Sequence, residues 1–513
     1  MVIPAYPMNL KNVVRRPFLD DLRLQYVLLA FMILFYGTIL YNAGLHSSVY
    51  PVNMTFNSML NHLVHGQFDV DPKIIGKEGF IRNGHTYTYY GITCALLRLP
   101  LLLVRRMDFD VTVLSCLAAV CLAGMMKVRT ILFLRRFCGS TPTAKWAFSL
   151  MLAYVVLGGS EIAYLKSSLF QEVVFWAVAF AAVFVYFAVK GIVSGQFTAV
   201  TLSWMACAAG LATLTRVSTG VGLCAAFGLL LLVLLFEEFR FRRTVLQRRF
   251  IISVAIFAVF LIVTGTVNYY RWGNATTFAN LSYYSGHLNE PGLMLIFNRY
   301  GNFNLIRIPL GLSYYFLPIW VLQGDNGRLL FENTQIRLTN NFELPPSSFF
   351  LTDLLPITFI VFVGIALWAG RSSYLRSLKN VGLLTRNAWF PSSLRFNSCN
   401  QGLAVAAGLS VPCVLMLTAI SMCYRYRMEF YPEIDFLAFL SLFAIVRNPV
   451  LLARFNRCRR WMLAATIVSI VSAFAAMILY KLSDFGPSQI FLRNGVVHYY
   501  THQVWLLLHH AKG

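Results

Sequence analysis

The sequence predicts an all-α polytopic membrane protein, and two observations support this fold class. The chain of 513 residues is 58% hydrophobic and 12% charged, with a mean hydropathy of +0.64, whereas soluble domains carry about 25% charged residues. Apolar runs of about 20 residues, the length that crosses a bilayer as a helix, recur between Leu24 and Tyr480. Unbroken runs of this kind favour helices over a closed barrel. We therefore interpret residues 1–513 as a single integral-membrane domain.

These runs predict about eleven transmembrane helices. The helices are expected near residues 24–43, 111–134, 146–160, 172–190, 198–215, 217–236, 250–269, 353–370, 402–420, 434–446 and 461–480. Short basic segments, among them KNVVRR at 11–16 and RNPVLLARFNRCRR at 447–460, separate alternate spans. Because basic loops favour the cytoplasmic side of a membrane, we expect a multi-pass protein with its N-terminus in the cytoplasm.

The net charge of +23 raises the alternative of nucleic-acid binding. No recognition motif accompanies this charge, so that alternative is not favoured. The basic segments are short and lie between spans, where anionic lipid headgroups attract them. Membrane lipids are therefore expected partners, and nucleic acid is not.

Two segments on the opposite, extracytoplasmic side are too long to be simple connections. They cover 43–110 and 270–356 and are rich in aromatic and aliphatic residues, a composition that argues against disorder. VNMTFNSMLNHLVHG at 52–66 places apolar side chains on one helical face, as in a helix that lies in the interface. GITCALLRLPLLLV at 91–104 is a second apolar piece, broken by a proline and held at the outer surface by Arg98 and neighbouring arginines. We therefore expect two long extracytoplasmic loops that carry interfacial helices.

An acidic pair occurs in the first of these loops, within HGQFDVDPKIIGKEGF at 65–80. In an extended segment Asp69 and Asp71 point the same way. One of them can then act as a base while its neighbour tunes its pKa, or the two can share a divalent metal ion. The alternative is a solvated acidic turn. Glu78 is a further carboxylate of the same stretch.

Aromatic and polar residues follow directly, in GFIRNGHTYTYYGITCALLRLP at 79–100. Tyr87 and Tyr89 are close in sequence to His85 and Arg98. Tyrosines at this depth form an interfacial belt, but aromatic faces combined with hydroxyls and carboxylates also suit sugar binding.

Charged residues also occur at the ends of apolar spans. Arg216, in GLATLTRVSTG, is expected at an outer turn, where it either reaches lipid headgroups or clamps a phosphate with its planar guanidinium. Glu172 begins the fourth predicted span close to Lys166. It either marks a functional site or forms a structural ion pair with that lysine.

The outer turn MCYRYRMEFYPEIDF at 422–436 places Arg425 and Arg427 among acids. A binding site and a self-neutralising network of salt bridges explain this pattern equally well. The chain lacks the G-x-x-x-x-G-K-[ST], H-E-x-x-H and G-x-S-x-G motifs, which removes the simplest NTPase, protease and esterase assignments.

This layout resembles the GT-C superfamily of integral-membrane glycosyltransferases. The shared features are a first span, a large outer loop with an acidic pair, and many further spans. HGQFDVD...EGFIRNGHTYTYYGI...LLRLP is similar to the start of bacterial members described as mannosyltransferase-like, and GLATLTRVS and YRYRMEFYPEIDFLAF are similar to their later segments. In many such enzymes the acidic pair lies nearer the first span than Asp69 lies to Tyr41, so the base stays open among Asp69, Asp71 and Glu78.

The resemblance implies a polyprenyl-phosphate-linked sugar as donor and a cell-envelope glycan or lipid as acceptor. Transfer would occur on the extracytoplasmic face of the bacterial plasma membrane, with inversion at the sugar carbon. A carboxylate would take the proton of the acceptor hydroxyl, and arginine or a divalent metal ion would stabilise the departing phosphate. The residues expected to bind substrate are His85, Tyr87, Tyr89, Arg98, Lys166, Glu172, Arg216, Arg425 and Arg427.

The competing prediction is a polytopic transporter or lipid flippase that makes and breaks no bonds. Transporters carry polar or helix-breaking elements at the bilayer midplane and related halves. Here the polar residues are concentrated in the outer loops and the sequence shows no internal repeat. A third alternative is a non-catalytic scaffold, because fold alone does not fix function.

Overall fold

The computed structural model of the protein describes residues 18–41, 51–138, 141–159, 161–240, 248–288, 291–318, 331–340, 343, 345–380, 396–482, 498, 501–502 and 504–506. Helices dominate these residues. They are α1 (Phe18–Tyr41), α2 (Thr55–Leu63), α3 (Pro72–Ile75), α4 (Thr93–Leu96), α5 (Leu99–Leu103), α6 (Thr112–Arg136), α7 (Pro142–Leu157), α8 (Leu169–Ser194), α9 (Ala199–Thr213), α10 (Val217–Arg240), α11 (Arg248–Trp272), α12 (Pro291–Tyr300), α13 (Ile308–Phe316), α14 (Glu332–Leu338), α15 (Phe349–Thr352), α16 (Leu354–Asn380), α17 (Phe396–Thr418), α18 (Tyr431–Arg447), α19 (Pro449–Arg457) and α20 (Arg459–Leu482). The prediction of a helical polytopic membrane protein is confirmed at this level.

Eight of the described helices are long and apolar enough to cross a membrane, and the bent pair α18–α19 makes nine if it counts as one span. The eight are α1, α6, α7 with the short turn that follows it, α8, α10, α11, α17 and α20. Each of the eleven predicted runs coincides with a helix, but the count of eleven spans is not confirmed. The helix α9 has 15 residues, which reach about 22 Å, short of the hydrocarbon core of about 30 Å.

The long helices begin and end where the side chains supply caps. Ser168 caps α8 by accepting a hydrogen bond from the backbone N–H of Gln171, and Gly195 ends this helix in the left-handed conformation. Thr141 caps α7 in the same way, ahead of a proline at the first helical position. Both devices satisfy backbone groups that a helix end leaves unpaired.

The helices pack around one large apolar core, and small residues allow the closest crossings. The pair α10 and α17 is an example. A Cβ atom added at Gly408 would lie 2.1 Å from the backbone nitrogen of Ala226, and one at Gly222 would lie 2.4 Å from the ring of Pro412. Glycine at these positions therefore fixes how closely the two helices approach.

The basic ends of several helices meet at one end of the bundle. Arg136 of α6 pairs with Asp21 of α1 at 3.1 Å, and Arg447 of α18 donates to the carbonyl of Phe137. Arg249 of α11 likewise pairs with Glu238 of α10. The predicted basic segment 11–16 lies outside the described residues.

Loop segments cover the opposite end of the bundle. The helix α2 buries Phe56, Met59 and Leu60, and the predicted second piece divides into α4 and α5. The strands β1 (Phe80–Arg82) and β2 (His85–Tyr87), which the sequence analysis missed, form an antiparallel hairpin. Its two turn residues have positive φ, at Asn83 (51°) and Gly84 (79°), a pair that suits the tight turn between two strands.

Candidate functional site

The candidate site lies where these loop segments meet the ends of the long helices. Residues 51–111 contact the turn between α9 and α10 through backbone hydrogen bonds from Gly91 to Thr215 and from Thr93 to Leu214. The approach is so close that a Cβ atom at Gly91 would lie 1.8 Å from the carbonyl oxygen of Leu214. The first loop is thus fixed against the turn that carries Arg216.

Arg216 and Glu429 form the centre of the site. Glu429 lies in the short helical turn Tyr424–Glu429 between α17 and α18. It pairs with Nε of Arg216 and accepts hydrogen bonds from Ser218 at 2.6 Å and Thr219 at 2.5 Å. The guanidinium of Arg216 lies over the ring of Tyr426, 5.2 Å from its centroid.

Arg425 lies over the ring of the same tyrosine. Its guanidinium is 5.4 Å from the Tyr426 ring centroid and 4.9 Å from that of Phe170. Nη1 donates to Glu343 at 3.1 Å, and Glu343 also accepts from the backbone N–H of Tyr424 at 2.8 Å. Burial raises the pKa of Glu343, and Arg425 partly offsets this effect.

Lys166 extends the basic character of the site. Its Nζ lies 5.7 Å from the ring centroid of Tyr480 on α20. Tyr480 accepts a hydrogen bond from Gln171 at 2.6 Å and is close enough to Arg425 to act on its charge. Lys166, Arg425 and Arg216 are therefore linked through aromatic rings, which favour cations over their faces.

Tyr89 and Glu78 bring the first loop to this cluster. Tyr89 donates to the hydroxyl of Tyr90 at 3.0 Å and is 36% exposed. Partial burial and the charge of Glu78 raise the pKa of Tyr89, whereas Arg425 and Arg216 lower it. The charge of Glu78 also raises the pKa of Tyr90. Of the three predicted acids, Glu78 is thus the one whose charge is coupled to the same tyrosine as both arginines.

Asp69 has a different environment. One carboxylate oxygen is 2.7 Å from Nδ1 of His62 on α2, and the other is 2.8 Å from Nδ1 of His85 on β2. Burial acts to raise the pKa of Asp69, but the hydrogen bonds with His85 and His62 outweigh it and the pKa is lowered. The side chain of His85 is 56% exposed, so this carboxylate orients an imidazole that faces solvent.

Asp71 and Tyr87 support the local structure of the loop. Asp71 caps α3 by accepting from the backbone N–H of Lys73 at 2.8 Å, and its own N–H donates to Ser58. Tyr87 packs beside Trp272 at the end of α11. Within the described part of the chain, no group of three or more His, Cys, Asp or Glu side chains is arranged to hold a metal ion.

Arg98 and Glu172 form a buried pair behind the first loop. Nη2 of Arg98 is 2.8 Å from Glu172 and 3.2 Å from Thr112, and the guanidinium lies over Phe56. Glu172 therefore pairs with Arg98, not with the sequence neighbour Lys166. Arg98, expected at the outer surface, is only 2% exposed. A buried ion pair of this kind positions the loop and does not line the site.

Arg427 also faces the interior. Its Nη2 donates to Thr352 at 2.9 Å and lies 3.3 Å from Asp353, and the guanidinium lies over the ring of Phe349. The charged residues of the turn 422–436 that form ion pairs do so with other elements and not with one another. They are Arg425, Arg427, Glu429 and Asp435.

Comparison with protein-family models, curated proteins and solved structures finds no match for this chain. The functional interpretation consequently depends on the geometry of the site. Sequence reasoning missed three of its members, Glu343, Tyr426 and His62. Glu343 is a single acid in a polar loop, and Tyr426 lies between two arginines that attracted attention first. The spacing of His62 from Asp69 carries no recognisable signal.

Proposed function

We propose that this protein is a membrane glycosyltransferase that moves a sugar from a polyprenyl phosphate to an acceptor hydroxyl of a cell-envelope glycan or lipid. One observation carries the proposal. Within the described residues, the side chain of Arg216 hydrogen-bonds only through Nε, which leaves both terminal nitrogens for a ligand. Its side chain is partly exposed, in contrast to that of Glu429.

The chemistry of the cluster suits a phosphate. A guanidinium presents N–H groups in a planar fork that matches phosphate oxygens. Glu429 holds Nε of Arg216 and so orients the fork, while Arg425 and Lys166 add positive charge nearby. The site lies at the ends of apolar helices, where the headgroup of a lipid-linked donor would arrive. This location supports a lipid-linked donor over a soluble nucleotide sugar.

The transfer step requires a base and a stabilised leaving group. The acceptor oxygen attacks the anomeric carbon, its proton passes to a carboxylate, and the bond to the phosphate oxygen breaks with its electron pair. Polyprenyl phosphate leaves, stabilised by Arg216 and Arg425. Glu78 is our first candidate for the base because its charge is coupled to Tyr89 beside these arginines. Asp69, acting through His85, is the second.

The proposal is tested by the release of polyprenyl phosphate. The purified protein, reconstituted in lipid, is incubated with polyprenyl-phosphate-linked hexoses and an envelope extract as acceptor. We expect polyprenyl phosphate and a glycosylated acceptor to accumulate together. A protein that moves the intact lipid-linked sugar between leaflets, without its cleavage, would instead support the transporter or flippase alternative.

Arg216 provides the matched variants for this test. Arg216→Ala removes both fork and charge, so binding of polyprenyl phosphate should weaken by at least about tenfold, the equivalent of one charge-assisted hydrogen bond. Arg216→Lys keeps the charge, so its affinity for polyprenyl phosphate should lie between those of the wild type and Arg216→Ala. Arg106→Ala removes an exposed arginine of the first long loop and should change nothing. Polyprenol, which lacks the phosphate, should bind all four proteins equally weakly. Wild-type binding by both Arg216 variants would mean that this side chain contacts only lipid headgroups.

A further inference from the structure

A second cluster of charges lies inside the helical bundle. Lys127 of α6 is paired with two carboxylates, Glu161 in the turn after α7 at 2.6 Å and Asp435 of α18 at 2.9 Å. All three side chains are almost fully buried, at 2%, 1% and 8% exposure. Neither Asp71 nor any arginine of the candidate site takes part.

In the described part of the chain, Lys127 is the one cation that forms an ion pair with Glu161 or Asp435. Asp353 is a further acid whose charge acts on Asp435. Asp353 already has a cation of its own in Arg427. The helix α8 places apolar side chains beside Lys127 and Asp435. They are Val178, Ala181, Ala182 and Val185.

The other titratable groups that face the cluster are tyrosines. Tyr36 of α1 is close to Glu161, and Tyr154 of α7 is close to both acids. The ring of Tyr431 lies 5.9 Å from Nζ of Lys127. Tyrosine hydroxyls are uncharged at neutral pH. Within the described residues, one ammonium group therefore faces two carboxyl groups, and full ionisation would leave one negative charge in the membrane interior.

An uncompensated buried charge is far more costly than a neutral acid, and such a group binds a proton instead. We propose that Lys127, Glu161 and Asp435 form a proton-binding site in which Asp435 holds one proton at neutral pH. Asp435 is the member that holds it because the negative charges of Glu161 and Asp353 both act on it and because Glu161 lies closer to Lys127. The carboxylate takes the proton from bulk water, and the same proton returns there when the pH rises.

This proton lies on the helix that follows the candidate site without a break. The turn Tyr424–Glu429 leads into α18, and Asp435 is in the second turn of that helix. Loss of the proton places a negative charge behind the segment that carries Arg425 and Glu429. The proton site is independent of sugar transfer and stands whether or not the proposed function is correct.

Infrared titration of the full-length protein in lipid tests the proposal. At neutral pH, we expect the carbonyl band of a protonated carboxylic acid, and this band should disappear as the pH is raised further. Asp435→Asn should abolish that band. Glu161→Gln should abolish it too, because Lys127 and Asp435 then form a neutral ion pair. Asp108→Asn, at an exposed acid, is the control and should leave it unchanged.

Isotope labelling decides the matter even if these variants fold poorly. Carboxyl labelling of aspartate with carbon-13 in the wild-type protein should shift the titrating band, whereas labelling of glutamate should not. A band that persists in both Asp435→Asn and Glu161→Gln would overturn the proposal. A band that shifts only with labelled glutamate, or the absence of any titrating acid band in the wild type, would do the same.

Discussion

Asp69 and Glu78 are nine positions apart in sequence, but their chemical surroundings differ. Both carboxylate oxygens of Asp69 are hydrogen-bonded to imidazoles, and the pKa of Asp69 is lowered. The lowered pKa makes this carboxylate a weaker proton acceptor. Glu78 is coupled to Tyr89 and thus to both arginines of the site. The residue type alone cannot separate the two acids, since the difference comes from His62 and His85, which approach Asp69 from other elements.

Removal of the base should affect the rate and not the binding of the donor. We expect Glu78→Gln to lower sugar transfer by about two to four orders of magnitude while polyprenyl phosphate still binds, because a base acts mainly in the transition state. Asp71→Asn should retain activity, since asparagine caps a helix as well as aspartate does. The measurement is release of polyprenyl phosphate under single-turnover conditions.

Asp69→Asn and His85→Asn complete this comparison. If full activity persists in Glu78→Gln while both of these variants lose transfer, the base is the Asp69–His85 pair.

The lowered pKa of Asp69 also predicts a dependence of loop stability on pH. A depressed carboxyl pKa contributes stability above its ordinary value of 3.8, and that contribution is lost as the pH falls through the lower, folded-state value. Asp69→Asn should therefore increase hydrogen exchange in β1 and β2 at neutral pH. The difference from the wild type should shrink once the pH is below 3.8. A difference of constant size at every pH would contradict the assigned role of the ionised carboxylate.

At the scale of the elements, the crossing of α10 and α17 depends on residues without side chains. Gly408→Ala places a Cβ atom 2.1 Å from a backbone nitrogen of α10, so the helices must separate. We expect the free energy of unfolding to fall by about 1–3 kcal/mol, as for other overpacked cores. Gly228→Ala is the matched control, because no atom lies within 4 Å of the added Cβ. Thermal unfolding in detergent gives the midpoint temperature of each variant. Equal midpoints for the two variants would show that the helix crossing tolerates the added methyl group.

The elements also show how far the sequence predicts this fold. All eleven apolar runs form helices, because a run of apolar residues in lipid must satisfy its own backbone. Their lengths were less predictable. The helix α18 ends at Arg447 and α19 turns away by 101°, at a boundary that Asn448 caps and Pro449 begins. The hairpin at 80–87 was missed since its strands have only three residues each.

The candidate site was predictable to the same partial extent. Arg216 and Arg425, singled out from short motifs, both lie over the ring of Tyr426. Arg98 and Arg427 belong instead to buried pairs with Glu172 and Asp353. Sequence spacing cannot distinguish these outcomes, because every one of the acids comes from a different element and the pairing is decided by how the helices pack.

At the scale of the whole molecule, charge separates the two ends of the bundle. The described basic ends of α6, α11 and α18 are in contact with neighbouring helix ends, while the acids and tyrosines of the candidate site lie at the other end. Cytoplasmic loops carry an excess of lysine and arginine. The basic end is therefore expected in the cytoplasm, and the candidate site on the extracytoplasmic face.

Reporter fusions measure this orientation directly. Fusions after Arg243 and Arg395 should report the cytoplasm, and fusions near Asn83 and Asn333 the extracytoplasmic side, because the two pairs are expected at opposite ends of the bundle. As a control, alkylation of single cysteines placed at Asn83 and Asn333 by a membrane-impermeant reagent should agree with the fusions without truncating the chain. An extracytoplasmic signal after Arg395 would reverse α16 and α17 relative to this scheme. A cytoplasmic signal near Asn83 would place the arginine cluster where soluble nucleotide sugars are available, and the lipid-linked donor would lose its main justification.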